Sequence, residues 1–125
     1  MSWKYFTQDE MACSHSGDCM MDDDFMGMLD QLREIYGKPL RVTSGFRSVD
    51  HPVERKKQKP GAHTTGNACD LGVHGEEAYK IVKIAQEIGF TGIGVAQKGN
   101  IASRFIHLDN LTKADDFPRP WVWSY

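Results

Sequence analysis

His63, Asp70 and His107 are the residues whose types and setting call for chemistry rather than packing. His63 sits in the Gly-rich run Gly61-Ala62-His63-Thr64-Thr65-Gly66, and Asp70 lies in the otherwise apolar Ala68-Cys69-Asp70-Leu71. A carboxylate between Cys69 and Leu71 points into the domain or into a cleft, where its charge must be paired or bound to a metal. In Phe105-Ile106-His107-Leu108-Asp109, a strand's period of two puts Ile106 and Leu108 on one face and Phe105, His107 and Asp109 on the other. The first face is core. The second is then a cleft that presents a histidine and an aspartate together. Two imidazoles and one carboxylate, with a fourth position open, are the donor set of a catalytic zinc site. Taken singly, a histidine is more often a structural or surface residue, and a strand aspartate is usually held by backbone donors.

The elements that must position these residues follow from periodicity. Asp22-Asp23-Asp24 precedes Phe25, Met28, Leu29, Leu32 and Ile35, an N-cap leading an apolar stripe at helical spacing, which Gly37 and Pro39 end. Leu40 to Thr43 reads as a short strand broken at Ser44-Gly45, and 49–61 as a long surface loop. Arg55, Lys56, Lys57 and Lys59 in that loop are either a solvated run or a clamp for an anionic substrate group. Asn67 to Val73 is expected as a strand. Gly75 to Ile88 is expected as a helix buried through Ala78, Ile81, Val82 and Ala85, with Gly89 as its cap. Thr91 to Val95 and Arg104 to Asp109 read as a hairpin, and Pro118 to Trp123 as an irregular aromatic tail. Helices and short strands without a βαβ repeat predict an α+β domain over 1–125, with a small, mainly antiparallel sheet flanked by helices.

The order His63-x-x-Gly66-x-Ala68-x-Asp70, then Phe105-Ile106-His107, resembles the D-alanyl-D-alanine carboxypeptidase family of zinc metallopeptidases. That family includes cell-wall peptidases and phage endolysins, and its fold is like the amino-terminal signalling domain of hedgehog proteins. Val42-Thr43-Ser44-Gly45-Phe46-Arg47-Ser48 is similar to the family's Ser-Gly-aromatic-Arg stretch, and Arg119-Pro120-Trp121-Val122-Trp123 to the tails of phage-encoded members. The resemblance implies that His63, Asp70 and His107 bind Zn2+ and that Arg47 holds the carboxylate or carbonyl of a peptide. The implied substrate is the D-amino-acid-containing stem peptide of peptidoglycan; Trp121, Trp123 and Tyr125 either line its groove or, as terminal aromatics more often do, cover a core edge. Several members carry an acidic base three residues before the last ligand, or a histidine two before it; here Arg104 and Phe105 stand there. Asp109, the nearest carboxylate on the cleft face, is therefore expected as general base, or else as the partner that orients a ligand or Arg47. His51 and Glu54 are the next candidates for the base. The departure at Arg104 and Phe105 also admits a catalytically inactive zinc-containing binding or structural virion module.

Fifteen Lys and Arg against seventeen Asp and Glu leave a net charge of -2, which provides no general field for nucleic acid or an anionic membrane. Cys13, His15 and Cys19 supply three soft ligands without a fourth, so free thiols, a local disulfide and a structural zinc all stay open. Cys69 is a small core residue. The first ten residues show no basic segment followed by an apolar one. A monomer made in the cytoplasm is expected, reaching the cell wall only if released or carried by a virion.

Overall fold

The computed structural model describes residues 3–125, so Met1 and Ser2, where the amino-terminal reading begins, lie outside it. Its elements are α1 (Gln8–Met11), α2 (Asp23–Tyr36), β1 (Val42–Ser44), α3 (Pro52–Arg55), β2 (Ala68–Leu71), α4 (Gly75–Ile88), β3 (Gly92–Ala96), β4 (Phe105–Asp109) and β5 (Trp121–Ser124), with short 3-10 turns between. The Asp22 carboxylate accepts from the Phe25 N–H, Asp23 and Asp24 occupy the positive first turn, and Gly37 closes the helix, as the sequence predicts for α2. The stripe is turned slightly: Phe25, Met26, Leu29 and Leu32 are buried, while Ile35 is 58% exposed. Met26 and Ile35 lie on opposite flanks of the Phe25–Leu29–Leu32 line, and Met26 is the one that joins the core cluster. In α4, Ala78, Ile81 and Ala85 are buried and Val82 is partly so.

The sheet has strand order β1-β2-β4-β3-β5, the first three contacts antiparallel and β3–β5 parallel. An α+β architecture with a mixed, mainly antiparallel sheet is what the element pattern predicts. The tail from Pro118 onward is a correction. It was expected to be irregular, yet Trp121–Ser124 forms an edge strand along β3. The loop 49–61 also contains one helical turn, α3, which buries Glu54.

Cys69, Leu71, Ile93, Ile106 and Leu108 cover one sheet face and pack under α2 and α4. Each such side chain contributes about 1.5–3 kcal/mol on burial, so the helical side of the sheet holds the molecule together. The other side is free to carry polar groups. No helix among the described residues is long and apolar enough to cross a membrane.

Candidate metal centre

Strand register assembles the polar face. Asp70 on β2 pairs with His107 on β4, His107 with Gly94 on β3, and Gly94 with Trp123 on β5, so one row runs across four strands. His63 reaches the same point from the 3-10 turn Ala62–Thr65. That turn ends at Gly66, whose φ of 78° and close approach to the Met20 carbonyl exclude a side chain. The Gly66 carbonyl accepts the Asp22 N–H at 2.9 Å, tying the His63 turn to the start of α2.

The separations are His63 Nε2 to Asp70 Oδ1 3.2 Å, His107 Nδ1 to Asp70 Oδ1 3.1 Å, and His63 Nε2 to His107 Nδ1 3.3 Å. A tetrahedral zinc with ligands at about 2.0–2.1 Å has donor–donor edges of about 3.3–3.4 Å, so the triangle fits that ion. Proton positions point the same way. His63 Nδ1 lies 2.8 Å from the Gly45 carbonyl, which can only accept, so Nδ1 carries the proton and Nε2 a lone pair. His107 Nε2 lies 2.7 Å from Asp109 Oδ2, an ionised carboxylate, which leaves the lone pair on Nδ1. With both rings neutral, two lone pairs and a carboxylate oxygen face one another, all three residues being buried. Three acceptors without a donor call for a cation. Among the described residues this is the one cluster of three His, Cys, Asp or Glu ligands. Cys13, His15 and Cys19 form none, and all three cysteines are free thiols.

Where a proton takes the place of that cation, burial still pushes the Asp70 carboxyl up, but the His107 and His63 rings then hydrogen-bond to it, outweigh burial and hold it well below the usual range. The His107 imidazole is lowered by burial and raised, on balance, by its bonds to Asp109 and Asp70. A sequence profile of the peptidase M15 family matches residues 4–109, a span that contains the whole triangle. The chain belongs to this family. M15 peptidases are zinc-dependent, and membership carries the general activity of a metallopeptidase, hydrolysis of peptide bonds. No curated protein shows significant sequence similarity to the chain.

In this M15 chain some of the other nominated residues stand around the triangle and some do not. Arg47 donates from Nη1 to Glu54 Oε2 at 3.0 Å, and its Nη2 stands 3.9 Å from Asp70 Oδ2. It borders a cleft of about 480 Å³ lined also by Lys57, Phe105, Phe117, Trp123 and Tyr125, with the triangle in its wall. Trp121 does not join them; it lines a separate depression with Phe90, Ile93 and Pro120. His51 accepts the Val53 N–H and lies beside Ser14, outside the cleft lining.

Asp109 lies on the far side of the His107 ring from Asp70. Its Oδ2 accepts from His107 and Arg119 Nη2 (2.8 Å), and its Oδ1 from Arg119 Nε (2.9 Å) and Leu111 N–H (3.3 Å). Burial raises its pKa, yet the bonds from His107 and Arg119 bring it down to about 2. Of the two roles the sequence left open for Asp109, this geometry fits the partner of a ligand rather than the base. Glu54 is likewise occupied, by the Gly61 N–H (2.8 Å), Arg47 and Lys57 (3.1 Å).

Sequence reasoning gave Arg119, the Arg47–Glu54 pair and β3 no part in the site. Gly92 and Gly94 were the available signal for the last, since glycine inside a strand marks close approach of another group. A Cβ at Gly92 would overlap the Asp109 carboxylate, and one at Gly94 would sit 2.8 Å from the Trp123 ring.

Proposed function

We propose that this protein is a zinc peptidase acting on the stem peptide of peptidoglycan, with His63, Asp70 and His107 holding the metal. The reading rests on one observation above others: three ligand atoms of two histidines and an aspartate in a triangle of 3.1–3.3 Å edges, opening on a cleft. Zinc bound there supplies a Lewis acid for the scissile carbonyl and an activated water. The chain's own residues do the rest. Arg47, fixed along one edge by Glu54, turns its remaining donors toward the cleft and anchors the substrate's carboxylate or carbonyl. Lys57 adds a second cation at that end, which supports the clamp reading for this part of the basic loop. Phe105, Trp123 and Tyr125 form an aromatic wall that orients the peptide and excludes water. The protein would act as a monomer, at the cell wall after release or delivery by a virion.

A second reading is favoured by the state of the two nearest carboxylates. Asp109 and Glu54 are both saturated with donors, and neither is free to accept a proton from water. A zinc-containing module that binds stem peptide without cutting it has this arrangement. Mass spectrometry of defined stem peptides incubated with the zinc-loaded protein separates the two. Cleavage that stops with chelator and returns with zinc is expected, and its mass names the bond. Peptide retained intact at every metal level selects the binding module, and intact peptide that is also not retained removes the substrate assignment.

A further inference from the structure

We propose that Arg119 is a positioning residue for the metal centre, acting through Asp109 to hold the His107 ring with Nδ1 toward the metal; the proposal rests on the zinc reading above. Arg119 lies beyond the residues matched by the M15 profile, so the family match assigns it nothing. Its guanidinium makes two parallel bonds to Asp109, Nε to Oδ1 at 2.9 Å and Nη2 to Oδ2 at 2.8 Å, and its Nη1 donates to the Pro118 carbonyl at 2.7 Å. The Phe117 and Trp123 rings lie 5.3 and 5.0 Å from the guanidinium carbon. The side chain is 6% exposed and that of Asp109 0%.

A buried pair of this kind has one geometry. Two bonds from a planar fork fix both the position and the plane of the carboxylate. The remaining lone pair of Oδ2 faces His107 Nε2 at 2.7 Å, so the ring must place its proton there. The opposite nitrogen, Nδ1, is thereby presented to Asp70 Oδ1 and His63 Nε2 with its lone pair free. Without Arg119, Asp109 keeps only the His107 and Leu111 donors and is free to rotate, and the imidazole is free to turn or exchange tautomers. Partners behind a ligating histidine typically govern metal affinity by about 10–100-fold.

The test uses Arg119→Gln, Arg119→Lys, Asp109→Asn and the Arg119→Gln/Asp109→Asn double variant. Zinc affinity is measured by competition with a chromogenic chelator. The His107 ring is read in the metal-free protein by long-range proton–nitrogen NMR at alkaline pH, where the ring is neutral. The expected results are an Nε2–H ring in the wild type and zinc affinity lower by about 10–100-fold in Arg119→Gln. Partial recovery is expected in Arg119→Lys, which retains charge but not the fork. The double variant should lose no more than Asp109→Asn alone, because the arginine acts through that carboxylate. A wild-type ring with its proton on Nδ1 overturns the proposal even if every variant fails to fold. Zinc binding that is indifferent to Arg119 in folded protein overturns it alone, whereas a wild type that takes up no zinc overturns the metal reading as well.

Discussion

Glu54 keeps a full negative charge with no exposed side-chain surface. Burial raises its pKa, but the Gly61 N–H, Arg47 and Lys57 outweigh that and lower it below the ordinary glutamate value. The consequence for stability has a definite sign. Above about pH 4.3, the usual glutamate pKa, the carboxylate is ionised in both folded and unfolded chains and its contribution is complete. As the pH falls further, the unfolded chain takes up the proton first, and the contribution is lost down through the folded pKa. Glu54→Gln should therefore be less stable than wild type at neutral pH, with the gap closing as acid is added below about pH 4.3. Urea midpoints measured from pH 7 to 3 would show it. A gap that stays constant over that range would mean that the charge contributes nothing. His63, Asp70 and His107 were legible at this scale because polar residues in a Gly-rich turn and in apolar strands have few uses. Arg119 and the pairing of Glu54 with Arg47 were not. A charge in a loop has the same local sequence whether it meets solvent or a partner brought near by the fold.

Strands were readable where they alternate and are followed at once by a turn. β4 shows Ile106 and Leu108 in the core and His107 and Asp109 opposite, as period two requires. β5 gave no such sign, since its partner β3 runs parallel to it and nearly thirty residues earlier, and Pro118 and Pro120 precede it. Its place explains β3. Gly92 and Gly94 leave room on the site face for the Asp109 carboxylate and the Trp123 ring, which stands 5.0 Å from His107. Gly92→Ala should displace Asp109 from between Arg119 and His107. Overpacking of this kind costs about 1–3 kcal/mol, and zinc affinity should fall along with stability. Chemical denaturation and metal titration of the same variant check both, and unchanged zinc affinity would show that Asp109 can move without consequence.

For the molecule as a whole, the sheet's two faces divide the work between holding and doing. The apolar face folds against α2 and α4 without help from a metal, but the polar face brings three acceptors together at a cost that only a cation offsets. The metal-free protein should therefore fold and be markedly less stable than the zinc form. Zinc at a hundred times its dissociation constant adds about 2.7 kcal/mol, or roughly 10 °C in Tm for a chain of this size. Thermal unfolding with chelator, with zinc and with magnesium is the measurement. Magnesium should do nothing, since two imidazoles and one carboxylate suit zinc and not a hard, oxygen-seeking ion. Equal melting in all three conditions would remove the metal from the site.

The order of residues along the chain also decides what trimming its tail would do. His63, Asp70 and His107 all precede Arg119, which follows the last of them by twelve positions. A cut between Asp109 and Arg119 keeps every ligand of the triangle in the chain and removes both the fork and β5. A protease with access to that stretch would thus loosen the centre without taking away one of its donors.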